Sequence, residues 1–311
     1  MVCLPWAIIL AGGDGTRLRS LTQRIAGDDR PKQFCPIFDG ETLLERTRRR
    51  ADLVTSPDRQ VVVVTRRQEP YWRHLAAELH PHRLVVQPWN GGTAAAILYS
   101  LLRVRDLGGD APVVILPSDH DVAEEIAFMS HVRSAVAIVE GRPGQVLILG
   151  IEAEYPESEY GWIEPGATPL DVEGAPAFPI RRFWEKPSER LARVLWSRGC
   201  LWNSFVMVGR VSAFLGLVCV AAPELLAAFE PIMQTIGAPP ETSTVERVYA
   251  ALPTFGFSEA VLARAPGRLA TIRVKDVGWS DLGNPTRVLA SLRRSGRRPA
   301  WLSRIELAPT A

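Results

Sequence analysis

Two hydrophobic rhythms alternate along this chain. Unbroken or nearly unbroken apolar runs of strand length occupy residues 6–11, 60–65, 84–87 and 112–116. Such runs mark strands buried on both faces of a sheet, where the in-and-out alternation of a half-solvated strand is lost. Residues 145–151, 180–185 and 269–274 read as further strands. Between them apolar residues recur at helical spacing: Leu43, Leu44, Thr47 and Ala51 within 41–53, then Trp72, Leu75, Ala76 and Leu79 within 68–80. The Ala- and Leu-rich stretch 94–104 reads as a helix that Thr93 could cap, and 189–198 as one capped by Ser188. Helices are also expected over 124–140, 211–233, 244–252 and 285–293. This alternation predicts an α/β domain on a doubly wound, mostly parallel sheet, with its ligand site beyond the carboxyl ends of the strands. After residue 151 the rhythm changes. Acidic, Pro and Gly residues over 154–166, around Tyr160-Gly161-Trp162-Ile163-Glu164, predict a hairpin or lid. Residues 167–179 read as a solvent loop.

Composition narrows the class. With 311 residues, 47% hydrophobic, the chain can bury one large α/β core or one core with a smaller companion. Its net charge of +2 gives no field for nucleic acid or a membrane surface, so an anionic ligand must be held by local charge. The arginine run Arg293, Arg294, Arg297 and Arg298 reads as a solvated face, and the end of the chain as a docked or loose tail. Cys3, Cys35, Cys200 and Cys219 are scattered without metal-ligand spacing, as expected of reduced thiols in a cytoplasmic protein. No basic segment precedes the short first apolar run, so neither a signal peptide nor a membrane span is expected there.

Candidate chemistry gathers first at Leu10-Ala11-Gly12-Gly13-Asp14-Gly15-Thr16-Arg17-Leu18, completed by Pro31-Lys32-Gln33-Phe34. Three glycines in four residues after a buried strand let backbone amides point into one concavity, where an anion can approach closely. Arg17 and Lys32 add mobile positive charge. A Walker loop is excluded, since no Gly-Lys-Ser/Thr follows. A dinucleotide fingerprint is excluded too: no third glycine stands at the required position, and Asp39 sits in an Asp-Gly turn instead of after a second strand. At later strand ends lie Gln87-Pro88-Trp89-Asn90-Gly91-Gly92-Thr93, Ser118-Asp119-His120-Asp121 and Glu185-Lys186-Pro187. Each also has an ordinary reading as a loop, a turn or cap, and a solvated ion pair. Asp121 suits a cap better than Asp119, and His120 reads as a structural histidine.

Together these motifs resemble the sugar-1-phosphate nucleotidylyltransferases, and the Lys-Gln-Phe form is closest to their mannose-1-phosphate guanylyltransferases. Six separated motifs stand in the family's order from Ile8 to about Leu292. The resemblance implies a Rossmann-like fold with an inserted sugar-binding hairpin and a short C-terminal helical segment. It divides the chain into a catalytic domain over 1–284, with a nucleotide half to about 150 and a sugar-phosphate half beyond, and a tail over 285–311. It implies nucleotidyl transfer from GTP to mannose 1-phosphate by in-line attack. The attacking phosphate monoester, with a second pKa of about 6, needs no protein base. What the reaction needs is alignment and charge neutralisation of two anions.

By the same resemblance Leu10, Ala11, Gly12, Gly13, Gly15 and Thr16 line the nucleotide, and Gln87, Gly92 and Thr93 read its base. Gly161, Glu185, Lys186 and Asn203 hold the sugar phosphate, while Trp202 packs. Arg17, Lys32 and Lys186 neutralise the phosphates, and Asp119 and Asp281 hold Mg²⁺. The family commonly has arginine at Gly91, glycine at Phe205 and aspartate at Glu259, so another base or sugar, or a binding relative without turnover, stays open. An oxidoreductase with an unusual nucleotide turn is disfavoured by the missing ribose carboxylate. The partners implied are small molecules, with a possible homodimer. Larger members carry a further isomerase or β-helix domain, so a single-activity enzyme is expected.

Overall fold

A nine-stranded mixed sheet runs through the molecule. The structure, a computed structural model, describes residues 4–306 other than 39 and 173, so Cys3 and the Asp39 turn lie outside the described residues. The strands are β1 (Trp6–Leu10), β2 (Gln60–Thr65), β3 (Leu84–Gln87), β4 (Pro112–Pro117), β5 (Val146–Glu152), β6 (Trp162–Pro165), β7 (Ala177–Trp184), β8 (Leu201–Arg210) and β9 (Leu269–Val274). Their spatial order is β3-β2-β1-β4-β8-β5-β9-β7-β6, and β6 also pairs with β8. From β3 to β4 all pairings are parallel, as expected of a doubly wound sheet. Beyond β4 the expectation fails: β8 runs antiparallel between β4 and β5, and β7 and β6 are antiparallel to their neighbours. Only β5 and β9 restore a parallel pair.

The buried strands serve both faces. Ile8, Val61 and Val63 join one core with the helices Gly92–Gly108 and Val211–Ala221, while Ala7, Ile9, Val62 and Val64 join the opposite core with Leu43–Ala51 and Glu125–Gly141. This is the period-two division that makes such a run uniformly apolar. A third, smaller core of Leu18, Ile37, Phe38, Leu282, Val288 and Trp301 docks the C-terminal helices Pro285–Arg294 and Ala300–Glu306 under the glycine turn. Trp301 donates its indole N–H to the carbonyl of Ile37 at 3.0 Å, so the tail is docked as far as it is described. The arginine run is not merely solvated: Arg294 pairs with Glu154 at 3.2 Å and Arg297 stacks on Phe38.

Several boundaries shift for identifiable reasons. The stretch 211–233 is three helices, Val211–Ala221, Pro223–Ala228 and Glu230–Thr235, interrupted where Pro223 and Pro231 cannot continue the ladder. Residues 68–80 form two short turns, Glu69–Trp72 and Leu75–Glu78, joined by i to i+3 bonds that keep Trp72 and Leu75 buried. The loop expected over 167–179 ends early, because Ala177 already pairs with Ile272 in β9. Ser188 caps its helix as expected, accepting from the Leu191 amide. Among the described residues no single helix is long and apolar enough to cross a membrane, although a bent pair, Val211–Ala221 with Pro223–Thr235, passes by length and composition.

Candidate active site

A cavity of about 510 Å³ opens over the carboxyl ends of β1, β3, β4 and β7. On one side of it stands the glycine turn. The Ala11 amide finishes the ladder on the Val63 carbonyl, and Gln33 donates to the carbonyls of Ala11 and Gly13 at 2.9 and 2.7 Å. Gln68 also donates to Gly13, and Ser118 donates to Leu10. Carbonyls are thus tied back, while among the described residues no amide of Gly12, Gly13, Asp14 or Gly15 donates a hydrogen bond within the protein. Unpartnered amides of this kind are what an anion site requires. Gly15 must be glycine: its φ is 60°, and a Cβ would stand 2.9 Å from the Lys32 nitrogen.

Leu10, Gly12, Gly13 and Arg17 line the cavity, whereas Ala11 is packed in the core, Gly15 lies close against the Pro31–Lys32 backbone, and Thr16 opens a short 3₁₀ turn. The strand-to-helix loop after β3 brings Gln87, Gly92 and Thr93 to the same wall. Thr93 does not cap its helix, which starts at Gly92; its hydroxyl instead accepts from the Phe257 amide at 2.8 Å. At Gly91 a Cβ would crowd the Tyr249 ring at 2.9 Å and the Ala95 Cβ at 3.1 Å. The Tyr249 hydroxyl donates to the Gln87 side-chain oxygen at 3.1 Å.

Asp119 and Asp281, 162 residues apart, line the same cavity. Asp121 and Ser280 form an isolated antiparallel bridge through two backbone hydrogen bonds of 2.9 and 3.0 Å, which carries Asp119 and Asp281 to one rim. Asp121 is therefore no helix cap: it is buried, paired with Arg46 at 3.3 Å and hydrogen-bonded by Ser291. Lys32 spans the rim. Its ammonium reaches the Asp281 carbonyl at 2.5 Å, the Asp119 carboxylate at 3.3 Å and the Leu282 carbonyl at 3.4 Å. In this structure Lys32 thereby ties the Asp119 and Asp281 loops together at the cavity edge. Burial would raise the Asp119 carboxyl, but Lys32 beside it holds it below the usual carboxylate range. Burial lowers the neighbouring His120, which stays neutral, edge-on to Trp279.

Opposite lie Gly161, Glu185, Lys186 and Asn203. Asn203 comes from β8, where the pairing with β5 slips between Ile148 and Gly150 and Phe205 adopts φ 59°. A bulge beside a site re-aims a side chain: here the Asn203 oxygen accepts from the Phe205 amide at 2.9 Å, and its amide group is left toward the cavity wall. Burial raises the Glu185 carboxyl, opposed by Lys186 and a hydrogen bond from Ser258. Trp202 packs among Tyr155, Tyr160, Trp162 and Trp279. Among the described residues no cluster of three or more His, Cys, Asp or Glu could hold a metal.

The model of the nucleotidyl transferase family matches residues 6–292. The chain belongs to that family. Among curated relatives, the xanthan biosynthesis protein XanB of Xanthomonas campestris pv. campestris is 29% identical over 298 residues, covering 93% of this chain and 60% of that protein. The mannose-1-phosphate guanylyltransferase ManC of Salmonella typhimurium is 28% identical over 290 residues, 90% of this chain and 58% of that one. The chain thus spans about three-fifths of the length of these relatives. A solved structure from Thermus thermophilus, described as a mannose-1-phosphate geranyltransferase, matches with a TM-score of 0.77 at 29% identity, covering 93% of this chain and 80% of that one.

Within this nucleotidyl transferase chain the sequence left several site residues unremarked. Gln33 shapes the turn, Tyr249 orients Gln87, and Arg287 touches Asp281 at 3.0 Å. Gln33 stands inside the Pro-Lys-Gln motif and could have been found there; Tyr249 reaches Gln87 across 162 residues and leaves no spacing to detect, whereas Arg287 stands only six residues after Asp281.

Proposed function

We propose that this protein joins a nucleoside triphosphate, GTP by its resemblance, to a sugar 1-phosphate, mannose 1-phosphate by the same resemblance, releasing pyrophosphate. The observation that carries the reading is the opposition, across one cavity, of the glycine turn with Asp119 and Asp281 on one side and Glu185, Lys186 and Asn203 on the other. The relatives named guanylyltransferase support the choice of base and sugar. In this reading residues 1–150 form the nucleotide half, 151–284 the sugar-phosphate half, and 285–311 a tail. The free amides of the turn and Arg17 receive the leaving pyrophosphate portion. Lys186 neutralises the sugar phosphate, and Gln87, Gly92 and Thr93 face the base. No side chain is needed as base, because the attacking phosphate is already ionised; the protein supplies alignment and charge.

The donor set fits Mg²⁺, a hard cation that takes one or two carboxylates and completes its shell with phosphate oxygens and water. Asp119 and Asp281 would hold it, with Lys32 keeping their loops together. Bound there, the cation would screen the repulsion between the two phosphate groups. The test is a panel of triphosphates against a panel of sugar 1-phosphates, followed by pyrophosphate release with and without Mg²⁺. GTP with mannose 1-phosphate should turn over fastest; no release with any pair would end the proposal. Asn203→Ala should raise the KM for the sugar phosphate about tenfold, as expected on losing one hydrogen bond to a ligand. An equal rise for the triphosphate would remove Asn203 from the sugar side.

A further inference from the structure

Arg287, on the helix Pro285–Arg294, sits where four parts of the site converge. One nitrogen of its guanidinium donates to Asp281 at 3.0 Å, and the other reaches Glu157 at 2.6 Å and Glu159 at 2.9 Å. Its plane lies over the Tyr160 ring, 4.5 Å from the centroid, and the Tyr160 hydroxyl donates to Asp281 at 3.2 Å. Glu159 also pairs with Arg17 at 3.5 Å. Arg287, Glu157 and Asp281 are largely shielded from water, while Glu159 is half exposed at the cavity edge. The Asn284 side chain caps this helix on the Arg287 amide at 3.0 Å, which fixes where the arginine leaves the backbone.

A planar fork that meets three carboxylates and an aromatic face is a geometry lysine cannot reproduce. The 154–161 segment precedes β6 and is also tied by Arg294 at Glu154, by Trp162 donating to the Glu157 carbonyl, by the Asn203 backbone amide donating to the Gly161 carbonyl, and by Tyr155 and Tyr160 packing on Trp202, while Arg287 reaches the Glu157 and Glu159 side chains together. We propose that Arg287 is a positioning residue, which holds the Asp281 carboxylate toward the cavity and fastens the Glu157–Tyr160 segment over it, so that cation ligand and lid are set by one guanidinium. This rests on the preceding reading only in taking Asp281 as a cation ligand. The alternative is that Arg287 merely opposes the cation by neutralising Asp281.

Three variants separate these roles: Arg287→Gln, Arg287→Lys, which keeps the positive charge, and Glu157→Gln, which keeps the arginine and its Asp281 contact, so that the test survives if the first fails to fold. In the protein without metal or nucleotide, amide hydrogen exchange over 154–161 should rise several-fold in Arg287→Gln and less in the other two, with β1 to β4 unchanged. In turnover, the Mg²⁺ concentration for half-maximal rate should rise about tenfold in Arg287→Gln, as on losing the orienting partner of a metal ligand. Arg287→Lys should recover only part of that rise. Unchanged exchange over 154–161 overturns the fastening role, and an unchanged or lower Mg²⁺ requirement overturns the positioning role. If the wild-type protein joins no triphosphate to any sugar phosphate, the functional reading falls while the exchange experiment still decides whether Arg287 fastens the lid.

Discussion

Asp281→Asn is expected to lower kcat about a thousandfold, the upper range for removing one preorganised charge from a phosphoryl-transfer site. The fold should survive, because most contacts that organise this turn do not need the charge, although the Arg287 pair and the Tyr160 hydroxyl bond to Asp281 weaken. Lys32 reaches the Asp281 backbone carbonyl, which the substitution leaves in place. The Gly283 amide, which donates to the carboxylate at 2.7 Å, can donate equally to an amide oxygen. Arg287 keeps Glu157 and Glu159. The unfolding free energy should therefore fall by no more than one charged hydrogen bond, about 1.5–3 kcal/mol. Pyrophosphate release with excess Mg²⁺ and circular dichroism through the thermal transition check the two halves. Near wild-type turnover would dismiss Asp281 as a ligand, and a collapsed fold would make its role structural.

What made this pair invisible as a pair is the manner of its assembly. Asp119 follows β4, and Asp281 follows β9 by seven residues, while β4 and β9 are not neighbours in the sheet. They meet through the bridge between Asp121 and Ser280, whose hydrogen bonds are all backbone and leave no mark in residue type. Asp119 alone could be read as a turn residue, and only the resemblance joined it to Asp281. The strands β1, β2 and β3 were legible because parallel strands covered on both sides need continuous apolar residues. By contrast β8, ten residues long, escaped notice since Asn203 and Ser204 break its apolar run. Ser204 is satisfied inside the sheet, donating to the Leu149 carbonyl at 2.6 Å, and Asn203 faces the cavity. One of the two polar residues that hid the strand, Asn203, lines the cavity the strand crosses. That hidden antiparallel strand is also why a mostly parallel sheet was expected and a mixed one found.

Lys186 carries the second large effect, and backbone strain lets its role be separated from stability. It follows β7 with φ 44°, in the left-handed region, and precedes Pro187, a neighbour that disfavours helical backbone angles. Such a conformation costs a non-glycine residue about 1–2 kcal/mol and persists where the surroundings require the side chain. Lys186→Gly should relieve it, so the unfolding midpoint should stay level or rise. Glu185, whose carboxyl burial already raises and Lys186 lowers, would lose its nearest cation and titrate higher still. The kcat/KM for the sugar phosphate should nevertheless fall about a hundredfold or more, while that for the triphosphate, bound across the cavity, should change far less. Lys186→Arg should restore part of the activity without the gain in stability, since the charge returns together with the strained Cβ. A glycine variant that loses stability and activity together would mean that the lysine stem is packing, and that the left-handed turn is held for the fold and not for the substrate.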